Sequence, residues 1–198
     1  MYEPRPGDVI LTKQRHIKWW QIFNRFLSSA ITHYNKKIVP HSFFPGATHA
    51  LLVIDSVFYP TKPYWKILVF HTTFSFKRPV ARFEFIELLN LEREYRIRIL
   101  RHKILGRFSF RPMVFVHAAA LFDGYVYDIG QLIDMGIFQR KRARKLFDFG
   151  DRSMVCSVLV RAILEKVYGV SLFDNIDIDS TPPAAFATAN WECVYDKI

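Results

Sequence analysis

Hydrophobic positions along the chain follow two periods. "GDVILTKQ" opens with a turn-forming Gly-Asp pair and continues as a β-favouring run, which predicts a strand. From Ile17 to Ile31, Trp19, Trp20, Phe23, Phe26, Leu27, Ala30 and Ile31 recur at helical spacing between polar residues, so an amphipathic helix is expected. "NKKIVPHSFFPG" reads as a loop, because its prolines and glycine break any period. "THALLVIDSVFYP" and "YWKILVFHTTF" are β-branched and aromatic runs joined through a proline-bearing connection, the pattern of two neighbouring strands. "EYRIRILRH" sets Tyr95, Ile97 and Ile99 against Arg96 and Arg98 and predicts a third strand of that group, apolar on one face and cationic on the other.

"RPMVFVHAAALF" predicts a helix with Pro112 in its first turn. The pattern weakens from "GYVYDIGQLIDMGIF" through "QRKRARKLFDFG" and recovers at "DRSMVCSVLVRAILEK", an apolar helix expected to end near Tyr168, where Gly169 offers a stop. A helix from "TPPAAF" and a final strand from Trp191 to Tyr195 complete the chain. The order of strand, helix, strands, helices and strand favours an α+β fold with an antiparallel sheet over a doubly wound parallel one. At 198 residues a single domain is expected, with insertions around 33–47 and 136–150.

Composition narrows the class. Half of the residues are apolar and 19 are Phe, which excludes disordered and collagen-like chains. The net charge of +10 suits an anionic partner but says little about chemistry. The N-terminal residues lack a secretory pattern and no apolar run reaches the ~18 residues of a membrane span, so a cytoplasmic location is expected, with peripheral membrane contact left open. Cys156 and Cys193 are too few for a disulfide framework, and a bridge between them is disfavoured in a chain without an export signal. No metal-ligand spacing or phosphate-binding glycine loop is legible, and no cofactor is expected.

Cys156 is the residue with chemical promise. If Asp151 or Ser153 caps the helix, the thiol lies in the first turn, near unpaired N–H groups and the positive end of the helix dipole. Those features favour a thiolate and could stabilise an oxyanion. A small hydrophobe filling a core is the competing reading. A cysteine nucleophile needs a nearby base, commonly an imidazole steered by a third polar group. His49 and His71 lie on adjacent predicted strands, which could bring them to one face. The other five histidines fall on helices, loops or the cationic strand with no evident partner.

"PGDVILTK", "ATHALLVID", "YVYDIGQL", "MVCSVLVRAI" and "STPPAAF", in this order, resemble the circularly permuted branch of the NlpC-like papain-fold superfamily, especially the YiiX/YebB-like proteins related to lecithin:retinol acyltransferase-like proteins. The resemblance implies a permuted papain-like α+β fold, with an antiparallel sheet or small barrel packed against helices and the nucleophile at a helix N-terminus. It implies Cys156 as nucleophile, His49 as base and His71 as the third member, and it places Tyr127 and Asp128 in the substrate pocket. The activity it implies is a cysteine-dependent hydrolase or acyltransferase that cleaves an amide or ester through a thioester. Cell-wall peptide, N-acyl amino acid and lipid remain open as substrates. Because a histidine third member cannot neutralise an imidazolium as a carboxylate could, a free thiol is the expected resting form.

"QRKRARK" and the Trp19–Trp20 pair beside Lys18 and Arg25 would suit an anionic membrane surface, although a solvated charged face and a core face are the ordinary readings. Nucleic-acid binding is the rival class, drawing on charge and aromatic content but lacking a recognition motif. A noncatalytic lipid- or peptide-binding cleft on the same fold is the third. Oligomeric state is not legible.

Overall fold

A computed structural model of the chain describes residues 2–15, 22–60, 64–72, 80–108, 110–128 and 152–197. Its centre is a six-stranded sheet formed by β1 (Val9–Gln14), β2 (His49–Tyr59), β3 (Tyr64–His71), β4 (Arg82–Glu87), β5 (Tyr95–His102) and β8 (Trp191–Lys197). The spatial order is β4-β3-β2-β1-β5-β8, with every neighbouring pair antiparallel. A separate parallel pair joins β6 (Val126–Tyr127) to β7 (Ser153–Met154). The helices among the described residues are α1 (Ile22–Ile38), α2 (Leu88–Glu94), α3 (Pro112–Ala120) and α4 (Cys156–Tyr168). This is the expected mixed α+β class with an antiparallel sheet.

Both faces of the sheet are covered, which is why β1 and β2 read as continuous apolar runs rather than as alternating ones. Val9, Leu11, Leu52, Ile54 and Phe70 pack against Phe115 and Ala119 of α3 and Leu159, Val160 and Ile163 of α4. On the opposite face Ile10, Leu51, Val53, Ile67, Val69, Ile97 and Ile99 meet Leu88 and Leu91 of α2. That short helix touches β3, β4 and β5, so the sheet curls around its second core.

Several sequence expectations need correction. The helix expected over Ile17–Ile31 runs from Ile22 to Ile38, and residues 16–21 lie outside the described ones. It continues through "NKK" because Tyr34 and Asn35 are buried: Tyr34 Oη donates to the Ser180 carbonyl at 3.0 Å, and Asn35 Nδ2 donates to the carbonyls of Pro45 and Ala47 at 2.9 and 2.6 Å. Lys36 and Lys37 fall in its last turn, where cations suit the helix dipole. The supposed insertion at 33–47 is therefore helical up to residue 38, while 136–150 lies outside the described residues.

β5 does not extend the β2–β3 pair but joins β1 to β8. Its second face is not simply cationic, since Leu100 is buried there and Arg98 lies over the rings of Phe43 and Phe44 while pairing with Asp196 at 3.0 Å. "TPPAAF" forms a 3₁₀ turn, Pro183–Phe186. Cys156 and Cys193 are free thiols. The α4 terminus agrees with expectation, Gly169 taking the left-handed conformation with φ 69°.

The N-terminal segment is tied to the sheet through Asp8, which is 1% exposed. Its carboxylate accepts from Tyr2 Oη at 2.6 Å, from the Arg5 N–H at 2.9 Å, and from Arg101 Nε and a terminal guanidinium nitrogen, each at 2.8 Å. The preceding Gly7 has φ 88°, and a Cβ there would meet Tyr168 Oη at 2.6 Å and Phe115 Cζ at 2.8 Å. Both the backbone and the space demand glycine. Gly7→Ala should therefore cost about 1–3 kcal/mol, read as a lower midpoint in urea unfolding; an unchanged midpoint would contradict this packing.

Candidate active site

The antiparallel pairing of β2 with β3 changes register between Val53 and Asp55. On the turn side Asp55 faces Leu68; on the other side Leu52 faces Phe70, and one step further His71 comes opposite Leu51. Residues opposite one another share a face, as do residues two apart on one strand. His49, Leu51 and His71 therefore lie on the same side. Without the one-residue shift His71 would stand opposite Leu52, on the other face.

The result is a chain of polar groups across three strands. His49 Nε2 lies 3.3 Å from His71 Nδ1, with the rings edge-on at 66°. His71 Nε2 lies 2.9 Å from a Glu84 carboxylate oxygen, which also accepts from Arg82 at 2.9 Å. His71 is almost fully buried, whereas the Glu84 side chain is 40% exposed. The hydrogen bond from His71 holds the Glu84 carboxyl down at about 2 against the opposing effect of burial, with Arg82 adding to the same pull. Burial, reinforced by the neighbouring His71, lowers His49 to about 3, although a cavity reaches the edge of its ring. His49 is therefore neutral near pH 7.

Cys156 is the first residue of α4. The helix cap is Val155, whose side chain caps nothing. Of the two expected caps, Ser153 lies on β7 and its hydroxyl donates to Asp128 at 2.8 Å, while Asp151 is outside the described residues. The pairing of β7 with β6 draws Ser153 away from the helix. The main-chain N–H groups of Ala50 and Ser157 pull the Cys156 thiol toward ionisation. Ala50 directly follows His49 on β2, so the sulfur lies near the main chain at the start of that strand. Burial nevertheless outweighs these donors and pushes the thiol up to about 11, and Cys156 is 2% exposed.

A cavity of about 350 Å³ opens beside the two imidazoles. Gln14, Ser28 and Tyr95 join Thr12, Thr48, His49, His71, Glu84 and Tyr127 in supplying its polar groups, and Leu27, Ile31, Leu51, Ile86 and Leu91 supply apolar wall. Tyr127 lines it and also lies close enough to Cys156 for their charges to interact. Asp128, expected beside it, is completely buried and serves the β6–β7 junction through Ser153. Trp19, Trp20, Lys18 and the "QRKRARK" cluster lie outside the described residues.

Glu84 and Arg82 were not among the sequence candidates. Their signal was the alternation of "RFEFIE", which marks a strand but does not single out its acid. Among the described residues no group of three or more His, Cys, Asp or Glu could hold a metal ion, and no helix is long and apolar enough to cross a membrane. No protein-family model matches the chain, and no curated protein matches it.

The resting sulfur should behave as a buried thiol. In a Cys193→Ser background, iodoacetamide labelling of Cys156 should be slow at pH 7 and accelerate toward pH 11. Labelling at a full thiolate rate down to pH 5 would contradict this environment.

Proposed function

We propose that the protein is a cysteine-dependent hydrolase or acyltransferase acting on an acyl ester or amide, with a permuted papain-like fold of the NlpC-like, YiiX/YebB-like kind. The observation that carries the reading is the convergence of three features at the same end of β2: a cysteine at the first position of a helix, main-chain donors around its sulfur, and a hydrogen-bonded imidazole pair beginning at the adjacent residue.

In this mechanism His49 takes the proton of Cys156, and the sulfur attacks the acyl carbonyl carbon. The carbonyl π electrons move to oxygen, where N–H groups at the start of α4 meet the developing charge. Collapse expels the alcohol or amine, which takes the proton back from the imidazole, and leaves a thioester on Cys156. Water or a second nucleophile then attacks the thioester and frees the thiol. A cytoplasmic setting and an anionic membrane surface as partner belong to the same proposal.

The cavity favours an acyl chain over a polar cell-wall peptide, because five aliphatic side chains form much of its wall. Its volume falls in the ~300–1,000 Å³ range of small-ligand sites. Tyr127 lines the cavity and is an electrostatic neighbour of Cys156, which links the two.

A second reading is favoured by one observation: the sulfur is 2% exposed and held as a thiol. On that reading the cavity binds an acyl chain without reaction. Hydrolysis of p-nitrophenyl esters of increasing chain length separates the two. The enzymatic reading predicts turnover that rises with chain length, is abolished in Cys156→Ala, and falls on the order of 10²-fold or more in His49→Asn. Chain binding with no Cys156-dependent turnover would support the noncatalytic cleft.

A further inference from the structure

The two-histidine arrangement leaves a physical problem that a single imidazole would not solve. On the catalytic reading His49 is the base for Cys156, yet its buried surroundings and the neighbouring His71 oppose a positive charge on it. A base that cannot carry the proton it accepts must pass another one on.

Hydrogen-bond chemistry prescribes where that proton goes. An ionised carboxylate only accepts, so Glu84 requires the hydrogen on His71 Nε2. A neutral His71 then presents a lone pair at Nδ1, and at 3.3 Å that lone pair accepts from His49 Nε2–H. The second nitrogen of His49, Nδ1, is consequently left with its own lone pair, the form a general base needs. Arg82, bonded at 2.9 Å to the oxygen that His71 uses, keeps the carboxylate ionised and in place.

We propose that Glu84 is a positioning residue that fixes the tautomers of both imidazoles and makes His71 the place where the proton's charge is stored. The inference rests on the catalytic reading above and deepens it. When the Cys156 proton moves to His49 Nδ1, the hydrogen on His49 Nε2 moves to His71 Nδ1. One N–H bond forms and one breaks on His49, which ends neutral with its hydrogen moved from Nε2 to Nδ1. The products are a thiolate on Cys156 and an imidazolium on His71, 2.9 Å from the Glu84 carboxylate. The reverse shift returns a proton to the leaving group. The positive charge thus sits beside a half-exposed carboxylate rather than on the ring whose surroundings oppose it.

Glu84→Gln tests this, since it keeps the size of the side chain, removes the charge, and lets the amide either donate to or accept from His71. Two readouts are needed. In nitrogen NMR of the protein without substrate, wild type should show hydrogen on Nε2 of both His49 and His71 with lone pairs on both Nδ1 atoms, and Glu84→Gln should give mixed tautomers in an otherwise unchanged spectrum. In ester turnover, Glu84→Gln should lower kcat by about 10–100-fold with KM little changed. In a His71→Asn background it should cost nothing further, because it acts through that ring. Unchanged ring signals in Glu84→Gln, or full additivity with His71→Asn, would overturn the inference. Absence of Cys156-dependent turnover in wild type would defeat the catalytic reading instead, and the ring signals would still decide whether Glu84 sets the tautomers.

Discussion

The site depends on a one-residue change of register between two strands. Antiparallel pairing allows only two choices for a side chain, this face or the other, and a slip of one position exchanges them. Where β2 and β3 adjust between Val53 and Asp55, the exchange brings His71 to the face that already carries His49 and Leu51. The shift lies within a pair buried on both sides, so it is held by the packing of Val53 and Val69 on one face and of Ile54 and Phe70 on the other. The polar chain from His49 to Glu84 is therefore a product of sheet geometry, built from three consecutive strands and positioned by two apolar cores.

Burial then sets the protonation states. In a low-dielectric site a charge is expensive unless paired, and the pairing here is uneven. Glu84 is kept ionised by His71 and Arg82, while His49 and Cys156 are kept neutral by their surroundings. The resting site holds a neutral thiol and a neutral imidazole rather than the thiolate–imidazolium pair familiar from low-pKa cysteines. Main-chain N–H groups of Ala50 and Ser157 pull the thiol toward ionisation, but burial outweighs them.

Much of this was legible in the residues, and the failures have physical causes. The strands around His49 and His71 stood out because β-branched and aromatic runs flanked by prolines have few other readings. The helix from Cys156 to Tyr168 showed both its apolar period and its glycine stop. What escaped depended on contacts distant in sequence. No local pattern reveals that Asn35 will be captured by the carbonyls of Pro45 and Ala47 and carry α1 past its apparent end. Nor does one reveal that Asp128 will claim Ser153, leaving the helix that begins at Cys156 without a side-chain cap. Glu84 was invisible for the same reason: an acid in an alternating strand is ordinarily solvated, and only the pairing of β4 with β3 brings it to an imidazole.

The central claim is that Cys156 can carry an acyl group. Brief exposure of the protein to a medium-chain activated ester, followed by intact-mass and peptide mass spectrometry, tests it most directly. The account predicts a mass increase of one acyl group on the peptide containing Cys156, lost on treatment with neutral hydroxylamine as a thioester should be. An unmodified Cys156, or acylation confined to lysines and to Cys193, would contradict it.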